Sequence, residues 1–453
     1  MNKTKADNLP ESWIKTTLYK ILSENLQPGF AQNPKDGGDV GQIRTHNVSP
    51  DGSIDLNGLK FVFPSEKEFK KYTLKKGDIV FNNTNSDEWV GKTALYELEE
   101  EYLFSNHMTR IRVNTSLAKP EYIAKYLHFL WMKGYSRSKS KQWVNQSGIE
   151  QSILASFSIP LPPLAEQKQI VAILQEADAL RRKKKEILEK SNRLASALFL
   201  EMFGDPVRNE KGWEVNSLSK FGYYKNGLNY GANETGVTVK CIGVGDFKNL
   251  YKIETIDSLT SIQLAQNPSD EYLLKDEDLL FVRSNGNKEL VGRCIVVYPG
   301  QEKVTFSGFC IRFRKNNNLI NIIYILYLFR IPTFKSTILF GGKGANIQNI
   351  SQKVLEELKI PFPPLPLQND FAKKVEAIED TTKQIESSLR KMEKLYDSLL
   401  QKAFTGDLTE SWRMVRHASS DAAAHHDSKD KMTERKCHSE QACTEIAECV
   451  ELS

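Results

Sequence analysis

Ile159-Pro-Leu-Pro-Pro-Leu-Ala-Glu-Gln167 is the stretch whose reading decides the fold, because the chain carries it twice. Ile360-Pro-Phe-Pro-Pro-Leu-Pro-Leu-Gln368 follows at an offset of 201. Other pairs keep the same order and nearly the same offset. Lys75-Lys-Gly-Asp-Ile-Val-Phe81 is answered by Lys275-Asp-Glu-Asp-Leu-Leu-Phe281, and Val90-Gly-Lys-Thr-Ala-Leu95 by Val291-Gly-Arg-Cys-Ile-Val296. Phe104-Ser105 with Arg110 and Arg112 is answered by Phe306-Ser307 with Arg312 and Arg314, and Trp13 and Trp213 open the two copies. A period of about 200 residues means duplicated domains rather than a solenoid of small repeats.

Each copy begins with short β-rich runs, such as Asp78-Ile-Val-Phe81 and Arg110-Ile-Arg-Val113, set between Gly, Asn, Asp and Pro clusters. A helical stretch follows, near 121–133 and 320–330. Each copy ends in a long helix announced by its prolines, and these are read as a stiff, extended connector because proline cannot continue a strand ladder. In the second helix Phe371, Val375, Ile378, Thr382, Ile385, Leu389, Met392, Tyr396, Leu399 and Ala403 alternate by four and three, the spacing of a coiled-coil seam. The first helix repeats it more weakly through Ile170, Ile173, Ala177, Leu180, Ile187, Leu194 and Leu198, with Lys184 and Ser191 interrupting. Each helix has room for about 40 residues, or roughly 60 Å. Such stripes need a partner, and the economical one is the other helix of the chain, antiparallel about a pseudo-twofold axis.

The expected fold is therefore α+β: two mixed α/β domains joined by two long antiparallel coiled-coil helices. The expected boundaries are 1–159 for the first domain and 160–206 for the proline-rich lead-in and central helix. They continue with 207–360 for the second domain, 361–408 for the second lead-in and helix, and 409–453 for a flexible tail, disordered or loosely helical.

Composition fits this picture. The 453 residues suggest roughly three domains. With 62 Lys+Arg against 57 Asp+Glu, the net charge of +5 permits nucleic-acid binding without arguing for it. Six cysteines at irregular positions make no disulfide framework, and no apolar run is long enough for a membrane span. The N-terminus lacks a signal-peptide core, so a cytoplasmic, soluble protein is expected.

Catalytic constellations are missing. Val90-Gly-Lys-Thr93 resembles the end of a phosphate-binding loop, but Ser86 stands where its first glycine is needed. Gly243-Val-Gly245 lacks the third glycine of a dinucleotide fingerprint. Cys437, Cys443 and Cys449 do not have zinc-ligand spacing, so no metal and no cofactor is expected in this chain.

Two kinds of stretch suit DNA. Lys133-Gly-Tyr-Ser-Arg-Ser-Lys-Ser-Lys-Gln-Trp143 has four cations and no acid, and it runs into Asn145. Copy two has Lys335 and then Lys343, Asn346 and Gln348 in the corresponding place. The polar loop Asn82-Asn-Thr-Asn-Ser86 is matched by Arg283-Ser-Asn-Gly-Asn287. Cations neutralise phosphates, while Asn, Gln and Arg can read base edges. The candidate DNA-binding residues are Asn82, Asn83, Thr84, Asn85, Lys92, Arg110, Arg137, Lys139, Lys141, Gln142 and Asn145 in copy one. In copy two they are Arg283, Asn285, Asn287, Arg293, Arg312, Lys335, Lys343, Asn346 and Gln348.

Together these motifs, with Ala403-Phe-Thr-Gly-Asp-Leu-Thr-Glu-Ser-Trp412, resemble the specificity subunit of Type I restriction-modification systems over about residues 10–412. The resemblance implies two target-recognition domains, each reading half of a split, non-palindromic site in double-stranded DNA. It implies helices that act as a ruler and dock two methyltransferase subunits, with motor-nuclease restriction subunits joining. The chain itself is then not an enzyme, and S-adenosylmethionine, ATP and Mg²⁺ belong to the partners. Copy two departs at Pro366-Leu367, where copy one has Ala165-Glu166. The competing readings are a helical dimerisation scaffold and a methyltransferase-targeting protein without a restriction partner.

Overall fold

The computed structural model describes residues 9–32, 38–144, 146–231, 234–248, 251–287, 290–340 and 349–423. The chain divides into two units, Met1–Lys183 with Ser388–Ser453, and Lys184–Ser387. Each long helix therefore contributes one half to each unit.

In the first unit, strands Gln27–Pro28, Met108–Ile111, Ile79–Asn82 and Thr93–Leu95 form a four-stranded antiparallel sheet in that order. Strand Val40–Ile43 pairs antiparallel with Lys60–Val62 and parallel with Leu103–Phe104. In the second unit, Gly222–Asn226, Cys310–Lys315, Asp278–Val282, Cys294–Val297 and Lys252–Ile253 form a five-stranded sheet, and Val237–Ile242 lies between Ser261–Leu264 and Val304–Phe306. The duplication extends to register: Val80 faces Arg110 as Leu280 faces Arg312. It extends to packing as well, since the helices Pro120–Met132 and Ile322–Arg330 bury their apolar faces in the two main cores.

The proline motifs are not plain connectors. Pro160 lies inside strand Ser158–Leu161, opposite Lys15, and Pro361 lies inside Lys359–Phe362, opposite Val215. Each is in a two-stranded ladder, where a strand keeps one open edge and a missing N–H costs no bond when it points there. The motif's glutamine closes the arrangement. Gln167 accepts from the Lys119 amide at 2.7 Å and donates to the Pro162 carbonyl at 2.8 Å; Gln368 repeats this with Asn321 at 2.9 Å and Pro363 at 2.7 Å. Buried amides of this kind need every partner satisfied, which gives the glutamine its place in both copies.

The central helix spans Leu164–Phe203 and the second Leu365–Thr405, 40 and 41 residues. They pair antiparallel within each unit. In the second, Ser191 Oγ meets Thr382 Oγ1 at 2.6 Å, and Phe199 and Phe203 pack on Phe371. In the first, the Arg181 guanidinium lies 4.8 Å from the Tyr396 ring, while Ile170 and Leu174 share a core with Leu400 and Ala403. The seam expected for the second helix is buried or half-buried at every position. That of the first holds at Ile170, Ile173, Ala177 and Leu198 and at the interrupting Lys184 and Ser191, all buried or half-buried, but Leu180, Ile187 and Leu194 are exposed and their neighbours Arg181, Leu188 and Ala195 face inward instead. At those three positions apolar spacing misses the seam by one residue, since the polar Arg181 belongs to it through the tyrosine ring, while the interrupting Ser191 keeps its place through the threonine hydroxyl.

A helix continues over Glu410–Ala423 at the start of the expected tail. It is fastened to the first unit where Glu166, 1% exposed, accepts from Thr409 Oγ1 at 2.6 Å and from Arg413. Copy two has Leu367 in place of Glu166, so the sequence departure between the motifs marks this fastening. No helix among the described residues is long and apolar enough to cross a membrane.

Candidate nucleic-acid interface

In the first unit a small sheet joins two stretches that are more than 50 residues apart in sequence. Strand Thr84–Asn85 pairs with Gln146–Gly148, which pairs with Lys141–Trp143. The polar loop and the basic segment are thus one surface. Asp87 organises it: Gln142 Nε2 donates to Asp87 at 2.9 Å, Ser147 Oγ at 3.2 Å, and Arg137 forms an ion pair with it. These bonds, led by that from Gln142, hold the Asp87 carboxyl below its usual pKa. Lys141 is exposed and pairs with Glu150 at 2.5 Å, and the Lys139 ammonium lies 5.5 Å from the Tyr135 ring. Beside them Trp143 is 58% exposed and Val144 92% exposed. Gly148 permits this face: a Cβ there would come within 2.6 Å of the Trp143 ring.

Asn83 and Asn85 are half-buried, and Asn85 Oδ1 accepts from the Ser86 amide at 2.8 Å. Asn82 is buried and donates to the Thr45 carbonyl at 3.2 Å. Lys92 is also buried, its ammonium 4.7 Å from the Trp89 ring, and burial lowers its pKa.

Arg110 and Arg312 are buried as well. Arg110 donates to the Thr73 carbonyl at 2.9 Å and pairs with Glu24 at 2.9 Å; Arg312 donates to the Glu271 carbonyl at 2.7 Å. Their neighbours Arg112 and Arg314 clamp Asp78 and Asp278 at 2.5 and 2.6 Å. The arginines that announce the repeat in sequence are thus part of the scaffold in both domains.

The second unit repeats the path of the polar loop. The Ile350 amide donates to Arg283 O at 2.9 Å, as Ile149 does to Asn83 O at 2.8 Å, and Ser284 bridges to Asn349. Arg283, Asn285 and Arg293 are half-buried, Asn287 is exposed, and the Asn287 amide donates to Asn285 Oδ1 at 2.7 Å. Lys335 lies half-buried in helix Pro332–Phe340. Asn145, Lys343, Asn346 and Gln348 lie outside the described residues. Sequence reasoning did not single out Asp87; an acid directly after the polar loop, opposite a cluster of donors, was the available signal. Among the described residues no group of histidines, cysteines and carboxylates is arranged to hold a metal ion.

The sequence model of the Type I restriction modification DNA specificity domain matches residues 31–190 and 210–393, one match per copy. The chain belongs to this family and is a DNA-specificity subunit, a non-catalytic component of a Type I restriction-modification system. It is 29% identical over 429 residues to the putative MjaX specificity subunit of Methanocaldococcus jannaschii, covering 90% of this chain and 96% of that one. It is 27% identical to the StySPI specificity subunit of Salmonella potsdam (91% and 92% covered). With the EcoKI specificity subunit of Escherichia coli (strain K12) it shares 26% identity (90% and 92% covered). A chain solved in a study of complex assembly and conformational transition of the type I R-M system superposes with a TM-score of 0.58. That chain is 17% identical, with 88% of this chain and 100% of the other covered, and the likeness is one of fold.

Proposed function

We propose that each domain reads one half of a bipartite, asymmetric site in double-stranded DNA, and that the first does so through the sheet built on Thr84–Asn85, Lys141–Trp143 and Gln146–Gly148. The observation that carries this reading is the joining of the polar loop to the basic segment on one exposed face. Lys139, Lys141 and Arg137 are placed for phosphates, and Asn83, Asn85 and Gln142 for base edges. In the second domain Arg283, Asn285 and Asn287 take the reading role and Arg293 and Lys335 the supporting one. Asn82, Lys92, Arg110 and Arg312 hold the domains' shape, which their burial supports.

The long helices set the distance between half-sites and dock two methyltransferase subunits, with motor-nuclease subunits joining for restriction. The exposed Leu180, Ile187 and Leu194, seven residues apart on the central helix, suit such docking. S-adenosylmethionine, ATP and Mg²⁺ are then used by the partners. Sequencing the methylome of cells carrying the system, before and after residues 10–158 are exchanged for a relative's, tests the reading. One half-site should change and the other persist; a change in both would overturn one domain per half-site.

A further inference from the structure

Strands Lys141–Trp143 and Gln146–Gly148 form a hairpin whose pairing decides which side chains turn away from the domain. Lys141 is opposite Gly148, Gln142 opposite Ser147 and Trp143 opposite Gln146. Directly opposed residues share a side, and successive residues alternate. Gln142 and Ser147 therefore share one side, and it is the side of Asp87, which accepts from them at 2.9 and 3.2 Å. Lys141, Trp143 and Gln146 share the other side, and all three are exposed.

Trp143, 58% exposed, and Val144, 92% exposed, give the hairpin an apolar tip. The indole does not stand out as a wedge. A Cβ on Gly148 would meet its Cζ3 at 2.6 Å and its Cη2 at 2.9 Å, so the ring lies across the backbone of the neighbouring strand. Entering a base stack would require the ring to leave that place and a base step to unstack. Bases that stay stacked present one apolar group at a groove edge, the thymine 5-methyl in the major groove, and this groove admits a two-stranded ribbon.

The same base pair offers adenine N6 and N7, the two atoms that a glutamine amide engages together. Trp143 and Gln146 carry an apolar ring and such an amide as directly opposed neighbours, whose Cβ atoms are about 5 Å apart. Lys141, on the same side, suits a phosphate; its pair with Glu150 is exposed at both ends and open to exchange.

We propose that this hairpin reads one A·T pair of the first half-site, Gln146 taking adenine N6 and N7 and the Trp143–Val144 tip taking the thymine methyl. The proposal rests on the small sheet being the first domain's DNA surface, and it adds the base pair and the groups that read it. The Ile149 and Ile350 amides bond Asn83 O and Arg283 O alike, and counting from them copy two has Gly344, Ala345 and Ile347 at these places. None of the three has an aromatic ring or an amide side chain, so this way of reading belongs to the first half-site.

The test uses the assembled complex and unmethylated duplexes carrying the motif found by methylome sequencing. In the first half-site each thymine is replaced in turn by deoxyuridine, which lacks only the methyl group, and each adenine by 7-deazaadenine, which lacks the N7 acceptor. At one and the same A·T pair, deoxyuridine should raise Kd about fourfold and 7-deazaadenine about tenfold. Trp143→Ala combined with Val144→Ser should remove the response to deoxyuridine and keep that to 7-deazaadenine. Gln146→Ala should do the reverse. Thermal melts check both folds; should the double variant not fold, Gln146→Ala still decides. The proposal is overturned by a wild-type complex indifferent to both analogues, by responses at two different pairs, by responses that the variants leave unchanged, or by a first half-site without an A·T pair. Unaltered binding after charge removal at Lys139 and Lys141 would instead sink the surface on which the proposal rests. If that binding weakens and the analogues do nothing, only the base-pair assignment falls.

Discussion

At the scale of single residues, arginines of the same type have divided between scaffold and surface. Arg314 reaches Asp278 at 2.6 Å with the carboxylate 1% exposed, and it also donates to the Leu273 carbonyl at 2.8 Å. Removing one member of such a pair strands the other in the interior. Arg314→Met should therefore destabilise the second unit by roughly 3–5 kcal/mol, read as a lower denaturant midpoint, without altering which bases are preferred in the protein that remains folded. The exposed cations should behave in the opposite way. Removing the charges of Lys139 and Lys141 should leave stability nearly unchanged and weaken binding on all DNA sequences alike. The slope of log affinity against log salt should fall by about one for each phosphate left without its cation. Asn85, Arg283 and Asn285 should instead relax preference at individual base pairs when substituted, each by about 1–3 kcal/mol of discrimination, measured on a set of singly altered sites. Unaltered preference after all three changes would place the reading surface elsewhere.

At the scale of elements, the second long helix was legible because every one of its seam positions is apolar or small. The first was legible in length and position and in only part of its facing. Ile170, Ile173, Ala177 and Leu198 lie inward as their spacing requires, yet in place of Leu180, Ile187 and Leu194 the inward residues are one later, Arg181, Leu188 and Ala195. Arg181 packs on Tyr396 and Ser191 bonds Thr382, and no rule of hydrophobic spacing finds a partner on another helix. If these helices set the spacing of the half-sites, length should translate into base pairs. One heptad inserted after Ser191 and one before Thr382 keeps the facing pair together and extends the rod by about 10.5 Å. The untouched spacer in the methylated motif should grow by roughly three base pairs, limited by the turn of the duplex, with both half-sites unchanged. An active mutant with the old spacer would separate spacing from helix length.

At the scale of the molecule, the first unit is completed by residues from distant parts of the chain. Glu166 begins the central helix, and its carboxylate is met by Thr409 and Arg413, beyond the second long helix. A chain ending at Leu408 should lose roughly 3 kcal/mol from the first unit, because a buried carboxylate is left without its donors. Glu166→Leu, the residue copy two uses, should recover part of that loss, and thermal melts of the four combinations would show it. Equal melting of full-length and shortened chains would mean that the fastening contributes nothing.

The sequence by itself determined the duplication, the α+β class, both long helices and the family, because each is written as a periodic or repeated pattern that survives without coordinates. It also marked the polar loop and the basic segment as candidates for DNA contact, from residue type alone. Only the tertiary structure decided that these two stretches are one surface, because strand pairing between distant segments leaves no local trace. It likewise decided that Arg110 and Arg312 face inward and that the motif prolines sit in strands. In each case the outcome depends on which group from a distant part of the chain satisfies a charge or hydrogen bond, and that is settled by packing rather than by spacing.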